Sequence, residues 1–383
     1  MKYIKALLIL CLTYNSTIAQ EKFILKGKIE GRNGTFIYLS YLDKNEQFVI
    51  DSGKIINSYF LFTGFINGAV KAEIYEKNST KKINVNSFYL EPGKLKILII
   101  EKGFKVKGSI TQKENEELNI LYEPAYKALD SVSEKLNEIS LRFKNEGKTL
   151  ELINKQKILQ VRRLELKELE RKIAYKFLSD NPKSYLNPQI LSYYLGAKKI
   201  SLDSTKIIFN QFDIKVQKSI LGELFLREMN GKIMSATGQI APIFVKTDIN
   251  GNEIILSNYR DSSYVILDFW ASWCIPCRKF SPTLKSYYQK YHSKGLEIIS
   301  VSWDSDIKVW EDAIKDDGMY IWRNILANMY LPKDNSMRDK FGVPSIPLLI
   351  LIDKKGVILG RYMAPNEDGG QTELEIKLEK IFN

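Results

Sequence analysis

A pair of cysteines lies where an apolar segment meets a helical pattern, in the stretch LDFWASWCIPCRKFSP at residues 267–282. From about residue 237 onward, apolar runs alternate with helical patterns. YVILDFW, GLEIISVSW and PLLILI are typical of buried strands, and the segments after the first two are typical of helices. This alternation predicts an α/β sheet that ends in an antiparallel hairpin and a terminal helix.

The rest of the chain shows two other patterns. Residues 20–111 hold short segments rich in aromatic and β-branched residues between turn signals, which predicts an all-β sandwich or barrel of antiparallel strands. Residues 112–236 change to a helical period, with one apolar stripe that predicts a packing face: Leu166, Leu169, Ile173 and Phe177. The predicted architecture is therefore multidomain, with a β domain (20–111), a helical connector (112–236) and an α/β domain (237–383).

Residues 1–19 have the pattern of a cleaved signal peptide. Lys2 and Lys5 flank the start of a short apolar run, and Thr17 and Ala19 are small residues at the −3 and −1 positions. The run is much shorter than the roughly 20 residues that span a bilayer. Because LLILC loosely resembles a lipoprotein signal ending at Cys11, a lipid anchor stays open as a minor alternative. We expect an exported protein of the periplasm or cell envelope.

The charge pattern argues against a nucleic-acid partner. The formal net charge is +12, but basic and acidic residues are mixed, as in RRLELKELERK. No basic tract with interleaved aromatic residues is present, so a solvated basic surface is the simpler interpretation.

Several kinds of site are compatible with Cys274 and Cys277. A purely structural disulfide would close a ring of four residues, for which the chain-entropy model gives roughly 2 kcal/mol, against roughly 4.7 kcal/mol for a 100-residue loop. A zinc site needs further Cys or His ligands, and His292 is the single histidine. A peroxidase needs Thr or Ser three residues before its cysteine, where this chain has Ala271. These alternatives are disfavoured.

Dithiol–disulfide exchange explains the spacing better. Between a strand and a helix, Cys274 falls at the helix N-terminus, where unpaired N–H groups and the helix dipole stabilise a thiolate and lower its pKa. Cys277 follows one turn later, and we expect it to be more buried and to resolve the mixed disulfide.

The segment DFWASWCIPCRKFSP resembles the thioredoxin active site, and residues 240–383 resemble the TlpA-like envelope thioredoxins, relatives of the AhpC/TSA proteins. Some of these carry an N-terminal β domain of unknown function. The resemblance implies that Cys274 attacks a substrate disulfide and that Cys277 resolves the intermediate. It also implies that Asp268 is buried beneath them, has a pKa raised toward neutrality, and handles the proton of Cys277.

A second motif, FGVPSIPLLILID, implies a substrate-binding loop. By resemblance Pro347 is a cis-proline facing the disulfide, and the backbone at Ile346 pairs with an extended substrate. The apolar rim around Cys274 would then comprise Trp273, Ile275, Pro276 and Ile346. At the position of Phe280, several cytochrome c maturation reductases have a glutamate. Its absence from this chain points to general thiol reduction.

The sequence thus predicts an exported thiol–disulfide oxidoreductase, acting as a reductase on disulfide-containing envelope proteins. No metal or organic cofactor is expected, and a membrane thiol donor would recharge the cysteine pair. The alternatives are an envelope binding or scaffold protein with a secondary dithiol, and a peroxiredoxin-like peroxidase. The sequence leaves the oligomeric state open.

Overall fold

The computed structural model describes residues 21–76, 84–101, 103–196, 200–327, 336–363 and 372–383. The predicted signal peptide at residues 1–19, with Cys11, lies outside these ranges. Within them, no helix combines the length and apolar character needed to cross a membrane.

The N-terminal region folds into two four-stranded sheets that share one hydrophobic core. One sheet has the strand order β4-β1-β7-β8 and the other β3-β2-β5-β6. The strands are β1 (Glu21–Ile29), β2 (Phe36–Leu42), β3 (Phe48–Lys54), β4 (Tyr59–Ile66), β5 (Val70–Tyr75), β6 (Asn84–Leu90), β7 (Gly93–Ile100) and β8 (Gly103–Lys107). The all-β prediction is confirmed. The expectation of purely antiparallel pairing is wrong, because β1 and β7 are parallel.

The middle region is helical, as predicted. It comprises α1 (Ile110–Glu146), α2 (Leu150–Asp180), α3 (Asn187–Gly196), α4 (Leu202–Asn210), α5 (Ile214–Gln217) and α6 (Ile220–Met234). The predicted stripe on α2 is only partly a packing face. Leu166 is buried in a small hydrophobic cluster, and Ile173 and Phe177 are partly buried against a different cluster. Leu169 remains 46% exposed. This difference arises because α1 is the main partner of α2 over much of its length, and one helix covers only a narrow face of another.

The C-terminal region has the predicted α/β architecture. Its five-stranded sheet has the order β13-β12-β11-β14-β15, with β14 and β15 antiparallel to their neighbours. The elements are β9 (Val245–Thr247), β10 (Glu253–Ile255), β11 (Tyr264–Trp270), α7 (Ile275–Tyr291), β12 (Leu296–Ser302), α8 (Ile307–Asp316), β13 (Arg323–Leu326), α9 (Met337–Lys340), β14 (Leu348–Ile352), β15 (Ile358–Met363) and α10 (Glu373–Phe382). The short strands β9, β10 and β13 were not predicted.

Helix α6 joins the three regions. The guanidinium of Arg227 donates to Asp339 in α9, with Nε 2.9 Å from the carboxylate, and to Glu46 in the turn between β2 and β3. At Gly231 the helix approaches the backbone of α9 so closely that an added Cβ would lie 1.9 Å from the carbonyl oxygen of Asp339. The C-terminal region is therefore packed directly onto the helical region.

Candidate active site

Cys274 and Cys277 form a disulfide at the start of α7. Cys274 is the N-cap residue of this helix, and the backbone N–H of Cys277 donates to its sulfur at 3.3 Å. The first turn of the helix contains no acidic residue. A helix N-terminus of this kind is an environment that favours a thiolate over a thiol.

The two cysteines are almost equally buried, with exposed fractions of 5% for Cys274 and 4% for Cys277. We expected Cys274 to be the more exposed of the two, and this is wrong for the disulfide form. The reason is packing, because both cysteines belong to the buried hydrophobic cluster of the C-terminal region.

The residues predicted to contact substrate divide between two loops. Trp273 and Ile275 are 60% and 68% exposed, and Pro276 is also exposed. Ile346 and Pro347 are half-buried, and the peptide bond between them is cis, the isomer that the resemblance implied.

Strand register brings these two loops to the same edge of the sheet. Phe269 in β11 pairs with Leu348 in β14. Consequently Pro347, which precedes Leu348, lies at the end of β11 from which the chain continues to Cys274.

Asp268 lies in the central strand β11 and is 4% exposed. The hydroxyl of Ser300 on β12 donates to its Oδ2 at 2.7 Å. Burial raises the pKa of Asp268 to about 7, while the hydrogen bond from Ser300 acts in the opposite direction because it stabilises the carboxylate. The group can therefore gain or lose a proton near neutral pH.

Sequence reasoning missed the two residues behind Asp268. The indole N–H of Trp322 donates to the hydroxyl oxygen of Ser300 at 2.9 Å, which leaves the Ser300 proton directed at Asp268. Ser300 interrupts the apolar run GLEIISVSW. Because a hydroxyl in a buried strand needs a hydrogen-bond partner, this serine could have indicated a polar contact inside the sheet.

A second buried carboxylate, Asp304, holds the loop that leads to Cys274. The backbone N–H and the hydroxyl of Ser272 donate to its two oxygens at 2.9 and 2.6 Å, and the hydroxyl of Ser302 donates at 2.7 Å. Sequence analysis did not single out Asp304, because Ser272 becomes its neighbour only when β11 and β12 pair.

The described residues contain no group of three or more His, Cys, Asp or Glu side chains arranged to hold a metal ion. His292 lies at the end of α7, with Nδ1 3.2 Å from the carbonyl oxygen of Leu296, and it stacks on Tyr288.

Comparisons with known proteins match one family in the C-terminal region and another in the N-terminal region. The thioredoxin-like family matches residues 261–358, and the domain of unknown function DUF4369 matches residues 23–115. Thiol-disulfide oxidoreductase ResA of Bacillus thuringiensis subsp. konkukian is 34% identical over 147 residues, which are 38% of this chain and 78% of that protein. This chain belongs to the thioredoxin-like thiol-disulfide oxidoreductases.

Further members of this family show the same relation. ResA of Bacillus subtilis is 31% identical over 129 residues, covering 34% of this chain and 68% of the relative. Among solved structures, the thioredoxin domain of a thiol-disulfide oxidoreductase from Bacteroides vulgatus is 32% identical, with a TM-score of 0.34, and covers 39% of this chain and 99% of that chain. The ResA relatives confirm the predicted oxidoreductase activity, and the DUF4369 match confirms the N-terminal domain of unknown function.

Proposed function

We propose that this thiol–disulfide oxidoreductase reduces disulfides of proteins in the cell envelope. The observation that carries the proposal is the Cys274–Cys277 disulfide at the N-cap of α7, six residues after a buried aspartate whose pKa is about 7. A helix N-terminus favours the attacking thiolate, and a carboxylate near neutrality is suited to take up a thiol proton.

In the proposed cycle the reduced protein supplies two electrons. The thiolate of Cys274 attacks one sulfur of the substrate disulfide, and the other substrate sulfur leaves as a thiolate. Asp268 accepts the proton of Cys277, whose sulfur then attacks the sulfur of Cys274. This second exchange restores the Cys274–Cys277 disulfide and releases the substrate with both of its cysteines reduced. The reaction requires no metal or organic cofactor.

The substrate would bind across the two loops at this end of the sheet. Trp273, Ile275 and Pro276 supply exposed apolar surface beside Cys274. Ile346 and Pro347 would hold an extended substrate backbone by main-chain hydrogen bonds.

The direction of electron flow is proposed from the dipeptide between the cysteines. Ile-Pro lacks the histidine of the strongly oxidising Pro-His type, which favours a reductant. We expect a reduction potential near that of thioredoxin, roughly −270 mV, and a value near roughly −120 mV would indicate an oxidant instead. A reductant in an oxidising envelope needs a thiol donor at the membrane, and the signal-peptide pattern of residues 1–19 supports export.

The attack step is tested by trapping. Cys277→Ser cannot resolve the intermediate and should accumulate mixed disulfides with substrate proteins, whereas Cys274→Ser should accumulate none. Absence of trapped species in Cys277→Ser, together with no insulin reduction by the wild-type chain, would favour the scaffold alternative.

A further inference from the structure

A cavity of about 1030 Å³ lies between the three regions of the chain. Residues of the C-terminal region, including Phe280, Pro344, Ser345 and Tyr362, line one side of it. Helices α3 and α6 line a second side, and the β domain lines a third. The cavity is therefore formed only when all three regions are assembled.

The cavity begins beside the active site. Ser345 is the residue immediately before Ile346 of the proposed substrate-binding loop, and Phe280 follows Cys277 by one turn of α7. A substrate segment that leaves the Ile346–Pro347 loop on this side would thus enter the cavity directly.

The wall opposite the active site is the outer face of the sheet β3-β2-β5-β6. In β5, Ala72 and Ile74 are buried in the β-domain core, while Lys71 and Glu73 alternate with them on the other face and line the cavity. Lys71 is exposed to solvent, yet the protein around it lowers its pKa by desolvation. This combination is expected for a side chain in a confined, solvent-filled space.

Specific contacts hold the walls in place. Arg227 connects the β domain to α9 from its position in α6. Arg361 also lines the cavity. Its guanidinium donates to Ser235 at the end of α6 and to the carbonyl oxygens of Phe341 and Gly342. These bonds join the regions on either side of the cavity, so its shape is set by the fold.

The chemistry of the cavity fits an extended polypeptide better than a small charged ligand. Its volume is at the upper limit of small-molecule pockets, roughly 300–1,000 Å³. Its exposed charges have both signs, as Lys71 and Glu73 illustrate, and apolar side chains such as Phe48 and Phe280 lie among them. Tyr362 and Met363 of its wall lie at the C-terminal end of β15, an edge strand in the described part of the sheet, while Ile358 at the other end is already bonded to Gln239. Edge strands are the places where extended polypeptides are bound by main-chain hydrogen bonds.

We propose that this cavity binds the extended segment of the substrate protein that flanks its reacting cysteine. The inference rests on the function proposed above and assigns the outer face of the β domain as the far wall of the substrate site. The β domain and the helices then select substrates by the sequence around the cysteine, while the reaction itself stays at Cys274.

Two peptide disulfides test this assignment. A short peptide of about four residues and a long peptide of about twelve, spanning up to about 40 Å when extended, each carry a cysteine as a mixed disulfide with thionitrobenzoate. The pre-reduced full-length protein attacks this disulfide through Cys274 and releases coloured thionitrobenzoate, so the second-order rate constant is read directly. We expect the wild-type chain to react with the long peptide about tenfold faster, the equivalent of about 1.4 kcal/mol of additional binding.

Variants then locate the origin of this preference. Lys71→Trp and Glu73→Trp put bulk into the cavity from the far wall and should bring the long-peptide rate down to the short-peptide rate. Lys26→Trp is the matched control, because Lys26 is exposed on a central strand of the other sheet and does not line the cavity. It should leave the preference unchanged.

The outcomes separate the inference from the function on which it rests. Equal rates for both peptides in the wild-type chain, or a preference that survives both cavity variants, would overturn the cavity assignment while leaving thiol exchange intact. A wild-type chain that reacts with neither peptide would contradict the exchange function itself. The short-peptide rate also reports whether each variant retains a folded active site.

Discussion

Replacing Asp268 by Asn should stabilise the C-terminal domain at alkaline pH. Asp268 is buried in the central strand and accepts a hydrogen bond from Ser300. An asparagine of similar shape keeps an oxygen for that bond and has no charge to bury. The wild-type side chain, in contrast, must become charged in an apolar environment as the pH rises.

The size of the effect follows from the pKa of Asp268, which is raised from 3.8 to about 7. Between these values the unfolded chain has lost the proton and the folded chain retains it, so wild-type stability falls as the pH increases, and it levels off above about pH 7. At about 1.4 kcal/mol per pH unit, the ionised carboxylate costs the folded domain roughly 4 kcal/mol. The advantage of Asp268→Asn should grow by this amount from about pH 4 to pH 8.

The measurement is denaturant unfolding of the oxidised protein at several pH values. Tryptophan fluorescence reports this domain selectively, because all five tryptophans lie in it: Trp270, Trp273, Trp303, Trp310 and Trp322. Asp312→Asn, on the exposed surface of α8, is the control and should change the unfolding free energy by less than about 0.5 kcal/mol at each pH. If the difference between Asp268→Asn and the wild type were the same at pH 5 and pH 8, the assignment of a raised pKa to Asp268 would be refuted.

Two further substitutions test one contact at the site and one contact between the regions. Ser300→Ala removes the hydrogen bond that stabilises the Asp268 carboxylate, so the infrared titration of that carboxyl group should move to higher pH. Ser302 contacts a different carboxylate, and the control Ser302→Ala should therefore leave this titration in place. Arg227→Ala removes the guanidinium that Glu46 and Asp339 share, and should destabilise the full-length chain by about 2 kcal/mol in thermal unfolding and speed proteolysis between its regions. The exposed helix pair of Arg142 supplies the control Arg142→Ala, whose effect should be much smaller, and equal effects would contradict a bridging role for Arg227.

The sequence predicted the C-terminal core well for a physical reason. Strands buried on both faces need continuous apolar side chains, and β11, β12 and β14 are such runs. The cysteine pair could be placed at a helix N-terminus because that position follows from the order of strand and helix alone. Local signals were sufficient for these features.

The features that were missed depend on pairing between distant segments. Strand β13 has only four residues and begins with Arg323 and Asn324, so its sequence carries no strand pattern, and it exists because it pairs with β12. The Trp322–Ser300–Asp268 contacts likewise require three segments to meet. The exposure of Leu169 depends on how much of α2 is covered by α1, which periodicity does not reveal.

The parallel pairing of β1 with β7 has a consequence for the order in which the chain folds. Phe23 pairs with Gly93, so 70 positions separate these partners, whereas Phe23 and its other partner Gly64, in the antiparallel pair of β1 with β4, are 41 positions apart. Closing the longer loop costs more chain entropy before any contact compensates for it, and a larger separation between partners slows folding. We therefore expect β1 to pair with β4 first, and to remain without its second neighbour until residues 93–100 are available to it.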